Sequence, residues 1–218
     1  MKFSFIILGF AFLCSNEVSA AQFTVSATVQ TAVIIEEKSP MSFGVLSVQT
    51  REDYTLASAA GTTHRVTLSP DGVVSAQSAD SAVVPVSGAS PGKYRIPVMP
   101  SSARITLKGP NGSLPVRASA NPGQLTCQYE SVEDAIADNR VVLENEAFGR
   151  SSFFCVDGFH SNQASLFAEG TSRATSGETI ELGAVLVTRT PPAGTEASVP
   201  TRYSNGAYVG KIELEIAY

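Results

Sequence analysis

The carboxyl-terminal eleven residues, 208–218, alternate between two kinds of side chain. In an extended chain one face would carry Tyr208, Gly210, Ile212, Leu214, Ile216 and Tyr218. The other face would carry Lys211, Glu213, Glu215 and Ala217, with Val209 as its one sizeable apolar exception. A period of two predicts a half-buried β-strand. Because no residues follow it, the edge of this strand must be covered by another part of the chain or by another chain. The pattern therefore predicts a site suited to assembly.

A second alternating segment lies near the amino terminus. Its apolar positions are Phe23, Val25, Ala27, Val29, Val33 and Ile35. As one strand it would be about 43 Å long at roughly 3.3 Å per residue, against roughly 17–20 Å for a usual strand. We therefore expect a free segment at 21–30, followed by the first strand of the folded domain at about 31–37. The alternative is that both terminal strands pair inside one closed sandwich.

Residues 1–20 have the features of a secretory signal peptide. Lys2 precedes an apolar run over 3–13, and Val18-Ser19-Ala20 is the small-residue pattern that signal peptidases cut. The run is shorter than the roughly 20 residues that a membrane-spanning helix needs. We therefore expect export to the periplasm and then to the cell surface, without direct membrane insertion, and a single domain over 31–218.

Composition predicts an all-β domain. Charged residues make up 16% of the chain, the net charge is −5, and no Lys/Arg cluster occurs, so binding to nucleic acid is not expected. Short apolar runs alternate with turn signals such as Pro70-Asp71-Gly72 and Asp157-Gly158, a pattern typical of a β-sandwich. One short helix is expected after Ser131, a residue suited to an N-cap, with Val132, Ala135 and Ile136 on one face.

Two cysteines, Cys127 and Cys155, lie in the mature chain. An exported chain with two cysteines is expected to pair them in a disulfide. For a separation of 28 positions (155 minus 127), loop entropy suggests roughly 3.5 kcal/mol of stabilisation.

The sequence contains no catalytic motif. It has neither a Gly-x-Ser-x-Gly elbow nor histidines paired at helical spacing. Asp157 and His160 suggest a turn with a solvated aspartate and a surface histidine more than a proton relay. The acidic group Glu130, Glu133, Asp134 and Asp138 is expected to keep one helix face solvated. We therefore expect no enzyme activity, no cofactor and no metal site.

Three segments carry a family resemblance. Gln22 to Leu46, QFTVSATVQTAVIIEEKSPMSFGVL, resembles the start of bacterial chaperone-usher pilins and of the exported family called domain of unknown function 4402. The end, GAYVGKIELEIAY, is similar to the Gly-x-Tyr-x-Gly strand and terminal aromatic residue of the same families. The middle segment, GASPGKYRIPVMP, is similar to a Tyr-x-Ile strand of the second family.

The resemblance implies an immunoglobulin-like β-sandwich whose last strand is supplied by the next subunit of a fibre. A periplasmic chaperone and an outer-membrane usher would be its partners, and it would self-associate into a pilus or fimbrium that serves cell adhesion. The donor side chains would be Phe23, Val25, Ala27 and Val29. The strand bordering the acceptor groove would include Tyr208, Ile212, Leu214, Ile216 and Tyr218.

The alternative function is a self-complete secreted binding module. Its target would be a glycan or a surface protein. The contact site would be the unusually long, disulfide-braced segment 124–162.

Overall fold

β-Strands account for most of the secondary structure that the chain forms. The computed structural model describes residues 35–51, 62–77, 81–97, 104–117, 119–145, 153–162, 177–190 and 203–217. The expected signal peptide (1–20), the extension (21–30) and the donor residues Phe23, Val25, Ala27 and Val29 lie outside the described residues.

Twelve strands and one α-helix occur in these ranges. The first seven strands are β1 (Glu36–Ser39), β2 (Val45–Val48), β3 (Arg65–Leu68), β4 (Val74–Ala76), β5 (Val83–Ser87), β6 (Gly92–Arg95) and β7 (Arg104–Lys108). After the helix α1 (Val132–Ala137) come β8 (Val141–Asn145), β9 (Phe153–Ser161), β10 (Thr179–Thr188), β11 (Tyr208–Val209) and β12 (Glu213–Ala217). The strands pair antiparallel. The prediction of an all-β sandwich with one short helix is confirmed.

The long strand β10 organises the main sheet, whose order is β1-β6-β10-β9-β8-β11. Leu182 lies between β6 and β9, whereas Val185 lies between β3 and β9. β9 pairs along one edge of β10. On the other edge, β6 pairs with the first half of β10 and β3 pairs with the second half. The Val- and Leu-rich sequence of β10 suits a strand buried on both faces.

The predicted turn at Asp157-Gly158 is wrong, because β9 continues through it. Gly158 and Phe159 stand opposite the single residue Ala184, which makes a β-bulge. Gly158 has φ of 59°, a left-handed conformation that glycine adopts at little cost. His160, expected at the surface, is therefore carried into the sheet and is only 4% exposed.

The three strands β8, β9 and β10 present two different apolar faces, since side chains alternate along each strand. The closed face, as we call it, consists of Val142, Phe153, Cys155, Val185 and Val187. The groove face consists of Val141, Leu143, Phe154, Val156 and Leu186.

The closed face is covered by the segment that the disulfide ties down. Cys127 and Cys155 are bonded, with their Cα atoms 5.7 Å apart, as predicted. α1 begins after Ser131, whose Oγ accepts a hydrogen bond from the Asp134 N–H at 3.1 Å, so the predicted N-cap is confirmed. Val132 and Ala135 of α1 are buried in the same cluster, and Ile136 packs against it.

Two smaller antiparallel pairs complete the strand pairings. β2 pairs with β5, and β12 pairs with β7 so that Leu214 stands opposite Leu107. Arg117 contributes an isolated bridge to His160 of β9. Neither finding changes the fold class.

The single strand expected over 208–218 is divided in two. β11 pairs with β8 and β12 pairs with β7, and residues 210–212 connect them. Gly210 approaches the sheet so closely that a Cβ there would lie 2.2 Å from the Val142 carbonyl oxygen. Alternation alone could not predict this break, because it does not show that the two ends of the segment join different partners.

Candidate functional site: an apolar groove

A groove of about 840 Å³ lies over the groove face. The floor comes from β8, β9 and β10, whose β-branched, leucine and phenylalanine side chains project on this side of the sheet. Phe154, Val156 and Leu186 are each no more than 2% exposed. The floor is thus a continuous apolar surface set on the most extensively paired strands of the fold.

One wall of the groove is formed by the segment that contains β2. Phe43, Leu46 and Val48 line it, and Tyr94 of β6 contributes beside them. Gly44 has φ of 73°, and a Cβ there would lie 2.1 Å from the Ser87 carbonyl oxygen, so the Phe43-Gly44 step requires glycine. This tight step brings the wall against Ser87, the last residue of β5.

The opposite wall is formed by residues 203–212 and is anchored by aromatic side chains. The Phe154 ring centroid lies 4.6 Å from that of Tyr203 and 5.0 Å from that of Tyr208. The Tyr203 hydroxyl accepts a hydrogen bond from the Arg189 N–H at 3.0 Å. The Tyr208 hydroxyl accepts from the Ser204 N–H and donates to the Ser204 carbonyl. Each tyrosine therefore places its ring in the groove while its polar atom is satisfied.

The groove is only weakly charged. Burial raises the pKa of Tyr203 and the pKa of Tyr94, and the Glu37 charge raises that of Tyr94 further. Both rings are therefore neutral at physiological pH. Glu37 and Lys211 are the charged residues that line the groove, and the Lys211 side chain is 82% exposed and paired with Glu213. Such a lining suits an uncharged, largely apolar occupant.

Two strand edges beside the groove have no strand partner within the described ranges. β2 pairs with β5 along one edge, and no described strand pairs with its other edge. β12, which begins directly after the groove residue Ile212, likewise pairs only with β7 in those ranges. Unpaired N–H and C=O groups at a strand edge favour the addition of another strand.

The structure brings together part of the predicted acceptor-edge set. Tyr208 and Ile212 line the groove and are half-buried. Leu214 and Ile216 instead belong to β12, where they stand opposite Leu107 and Ile105 of β7. Tyr218 lies outside the described residues. Sequence reasoning missed the floor, although the apolar runs at 140–143 and 152–156 were its signal.

The other residues considered as chemical groups, Asp157, His160 and the acidic residues around α1, do not come together in one site. Asp157 accepts a hydrogen bond from the Gly158 N–H at 2.7 Å and forms an ion pair with Arg140, while His160 Nδ1 contacts the Gly158 carbonyl at 2.9 Å. The two side chains thus have separate partners. The acidic residues around α1 are exposed, as expected of a solvated face. No cluster of metal-ligating side chains occurs among the residues that the structure describes.

No protein-family model, curated protein or solved structure matched the chain. The resemblance to pilins and to the domain of unknown function 4402 therefore stays a prediction. Within the described ranges, no helix combines the length and apolar character that crossing a membrane requires.

Proposed function

We propose that the protein is a structural subunit of a bacterial surface fibre, and that its groove is filled by the amino-terminal segment 21–30 of a second copy. The observation that carries the proposal is the apolar groove over β8, β9 and β10, next to two strand edges that no described strand covers. A fibre requires such an acceptor on each subunit and a complementary donor elsewhere on the same chain.

The segment 21–30 has the chemistry that this groove would accept. Its alternate residues Phe23, Val25, Ala27 and Val29 are apolar, and the residues between them are Thr and Ser. In an extended donor, alternate side chains would enter the groove while the backbone pairs with the flanking edges. Each fully buried large side chain would contribute about 1.5–3 kcal/mol.

Export follows from the same proposal. A fibre subunit must leave the cytoplasm, which agrees with the expected signal peptide at 1–20 and with a disulfide, a bond that persists in oxidising compartments. A chaperone that covers the groove before assembly would act as a temporary donor.

The test compares the mature chain, residues 21–218, with a chain that begins at residue 31. We expect polymers that survive unheated SDS gel electrophoresis from the first chain and monomers from the second. A synthetic peptide of residues 21–32 should bind the shortened chain and restore its thermal stability. A peptide with Val25→Asp and Ala27→Asp should fail, because each charge would enter the apolar floor.

A matched pair of variants locates the acceptor. Ile212→Ser changes a half-buried residue of the groove wall, and Leu214→Ser changes a half-buried residue of β12 outside the lining. Only Ile212→Ser should weaken peptide binding and polymer formation. If both chains stay monomeric and the peptide does not bind, the segment pairs within its own molecule and the fibre proposal fails.

A further inference from the structure

A second, smaller cavity lies next to the end of α1 and shares only Val156 with the lining of the apolar groove. Its volume is about 240 Å³, and its lining includes Tyr129, the turn that follows α1, and the start of the β9 bulge. Leu114 and Val156 supply an apolar base and are 6% and 1% exposed. We call this cavity the Tyr129 pocket.

The polar rim of the Tyr129 pocket is held in place by contacts within the protein. Asn139 adopts a left-handed conformation with φ of 58°. Its Oδ1 accepts from the Asn111 N–H at 2.9 Å, and its Nδ2 donates to the Ser113 carbonyl at 3.2 Å. These bonds fix the turn that presents Asp138 and Arg140.

The aromatic side of the pocket is fixed in a similar way. Arg140 Nε donates to the Tyr129 hydroxyl at 3.0 Å, and the same guanidinium pairs with Asp157. The Tyr129 carbonyl accepts from Arg189 Nε at 2.6 Å, and its ring packs against the disulfide cluster. A ligand would therefore meet side chains that are already ordered, which lowers the entropic cost of binding.

The charges of the rim decide which ligands suit it. Asp138 and Asp157 place two carboxylates against the single guanidinium of Arg140, so an anion would meet a net negative rim. Asp157 is already engaged by Gly158 and Arg140. Asp138 is exposed, and within the described residues its carboxylate and the guanidinium N–H groups of Arg140 that do not face Tyr129 or Asp157 make no hydrogen bond or ion pair.

Hydrogen-bond acceptors and donors thus stand side by side over an apolar base. A ligand with several hydroxyl groups can both donate to a carboxylate and accept from a guanidinium, and the C–H face of its ring can pack on apolar atoms. The volume lies below the roughly 300–1,000 Å³ typical of drug-sized ligands, so it suits one ring.

We propose that the Tyr129 pocket binds a single neutral, hydroxyl-rich ring, such as one sugar unit of a glycan. The site shares only the buried Val156 with the lining of the apolar groove, so the inference goes beyond the fibre role and does not depend on it. In a fibre, each subunit would carry one such site.

The test uses the mature chain and saturation-transfer NMR, which tolerates polymers because it observes the ligand. The probes are glucose, galactose, mannose and glucuronate at millimolar concentration. We expect at least one neutral sugar to bind, and we expect glucuronate, which adds a carboxylate to the same ring, to bind more weakly than glucose.

Variants assign the binding to this pocket. Asp138→Ala removes an exposed carboxylate that has no partner among the described residues, and it should weaken sugar binding by about tenfold or more. The control Glu215→Ala removes an exposed carboxylate of β12 and should leave binding unchanged. Circular dichroism should show both variants folded. The proposal is overturned if no neutral sugar binds, if glucuronate binds best, or if Asp138→Ala and Glu215→Ala have the same effect.

Discussion

The closed face and the groove face belong to the same three strands, yet the chain treats them differently. On the closed face, Phe153 and Cys155 pack under the disulfide and α1. On the groove face, Phe154 and Val156 lie beneath a groove of about 840 Å³. Adjacent residues of β9 are thus all buried, but one side is covered by a packed segment and the other lies beneath an open groove.

The difference shows what makes an apolar sheet face stable. Both faces carry five apolar side chains, so composition does not distinguish them. The closed face has a covering segment whose start, just before α1, is held by the Cys127–Cys155 bond and by Arg189, which donates to the Tyr129 and Glu130 carbonyls. The groove face has walls but a gap between them. A separate strand is the simplest element that fills such a gap.

The largest effect should come from two neighbouring phenylalanines. Phe153→Ala removes a ring that is fully buried in the closed face and should lower the free energy of unfolding by about 3–5 kcal/mol. Phe154 is also buried, but the space left by Phe154→Ala would open into the groove, so in the shortened chain this variant should cost less, about 3 kcal/mol, at the lower end of that range. Urea denaturation of both variants measures the difference.

Adding the peptide of residues 21–32 sharpens this comparison. The peptide should stabilise the shortened parent chain more than it stabilises Phe154→Ala, because Phe154 lies under its proposed path. Phe153→Leu and Phe154→Leu are milder substitutes if an alanine variant does not fold. Equal losses from the two positions, with and without peptide, would show that both faces are equally complete.

A smaller effect should come from the groove wall. At Gly210 an added methyl group would lie 2.2 Å from the Val142 carbonyl oxygen, so Gly210→Ala should push residues 203–212 away from β8. We expect a loss of about 1–3 kcal/mol in unfolding free energy, together with weaker peptide binding. Gly123→Ala is the control, since its nearest neighbour would be 4.0 Å away and its effect should be within about 0.5 kcal/mol. Unchanged peptide binding by Gly210→Ala would separate this wall from the acceptor.

The smallest effect should be a dependence of the unfolding free energy on pH, and its source is a residue outside both faces. Burial, followed by the charge of Arg65, lowers the pKa of His64, whose Nδ1 accepts from the Ala82 N–H at 3.3 Å. The folded state therefore resists protonation of this ring. Stability should be fully present above the ordinary imidazole pKa of about 6.5 and should decline as the pH falls below it.

Urea denaturation at several pH values between about 7.5 and 5.5 checks this expectation, a window above the usual titration of carboxylates. His64→Gln should flatten the decline, while His160 stays in place in both proteins. The loss of stability should affect the closed face and the groove together. The affinity of each folded molecule for the peptide should therefore not change. An identical decline in the variant would assign the pH dependence to other groups.

Local patterns in the sequence predicted the parts of the fold that depend on near neighbours. Ser131 predicted the start of α1, because an N-cap acts within one turn. The two cysteines beyond the expected signal peptide predicted their bond, because the third cysteine, Cys14, lies within the segment that is expected to be cleaved. Of the predicted site, Tyr208 and Ile212 reached the groove because alternation correctly placed them on one face.

Long-range pairing decided what the local patterns could not. Asp157-Gly158 has the composition of a turn, but the pairing of β9 with β10 continues past it, makes it a bulge and leaves His160 buried. Leu214 shares its alternation with Ile212, but pairing with β7 removes it from the groove. Each outcome depends on residues that are distant in the chain, which a local pattern does not contain.

The sequence alone determined that this chain forms short, alternating strands with one capped helix and one disulfide, because each of these features depends on the period of the side chains or on a pair of reactive residues. Only the tertiary structure decided which apolar face is closed and which is left as a groove. Alternation divides a strand into two faces, but the covering of each face depends on where the rest of the chain packs.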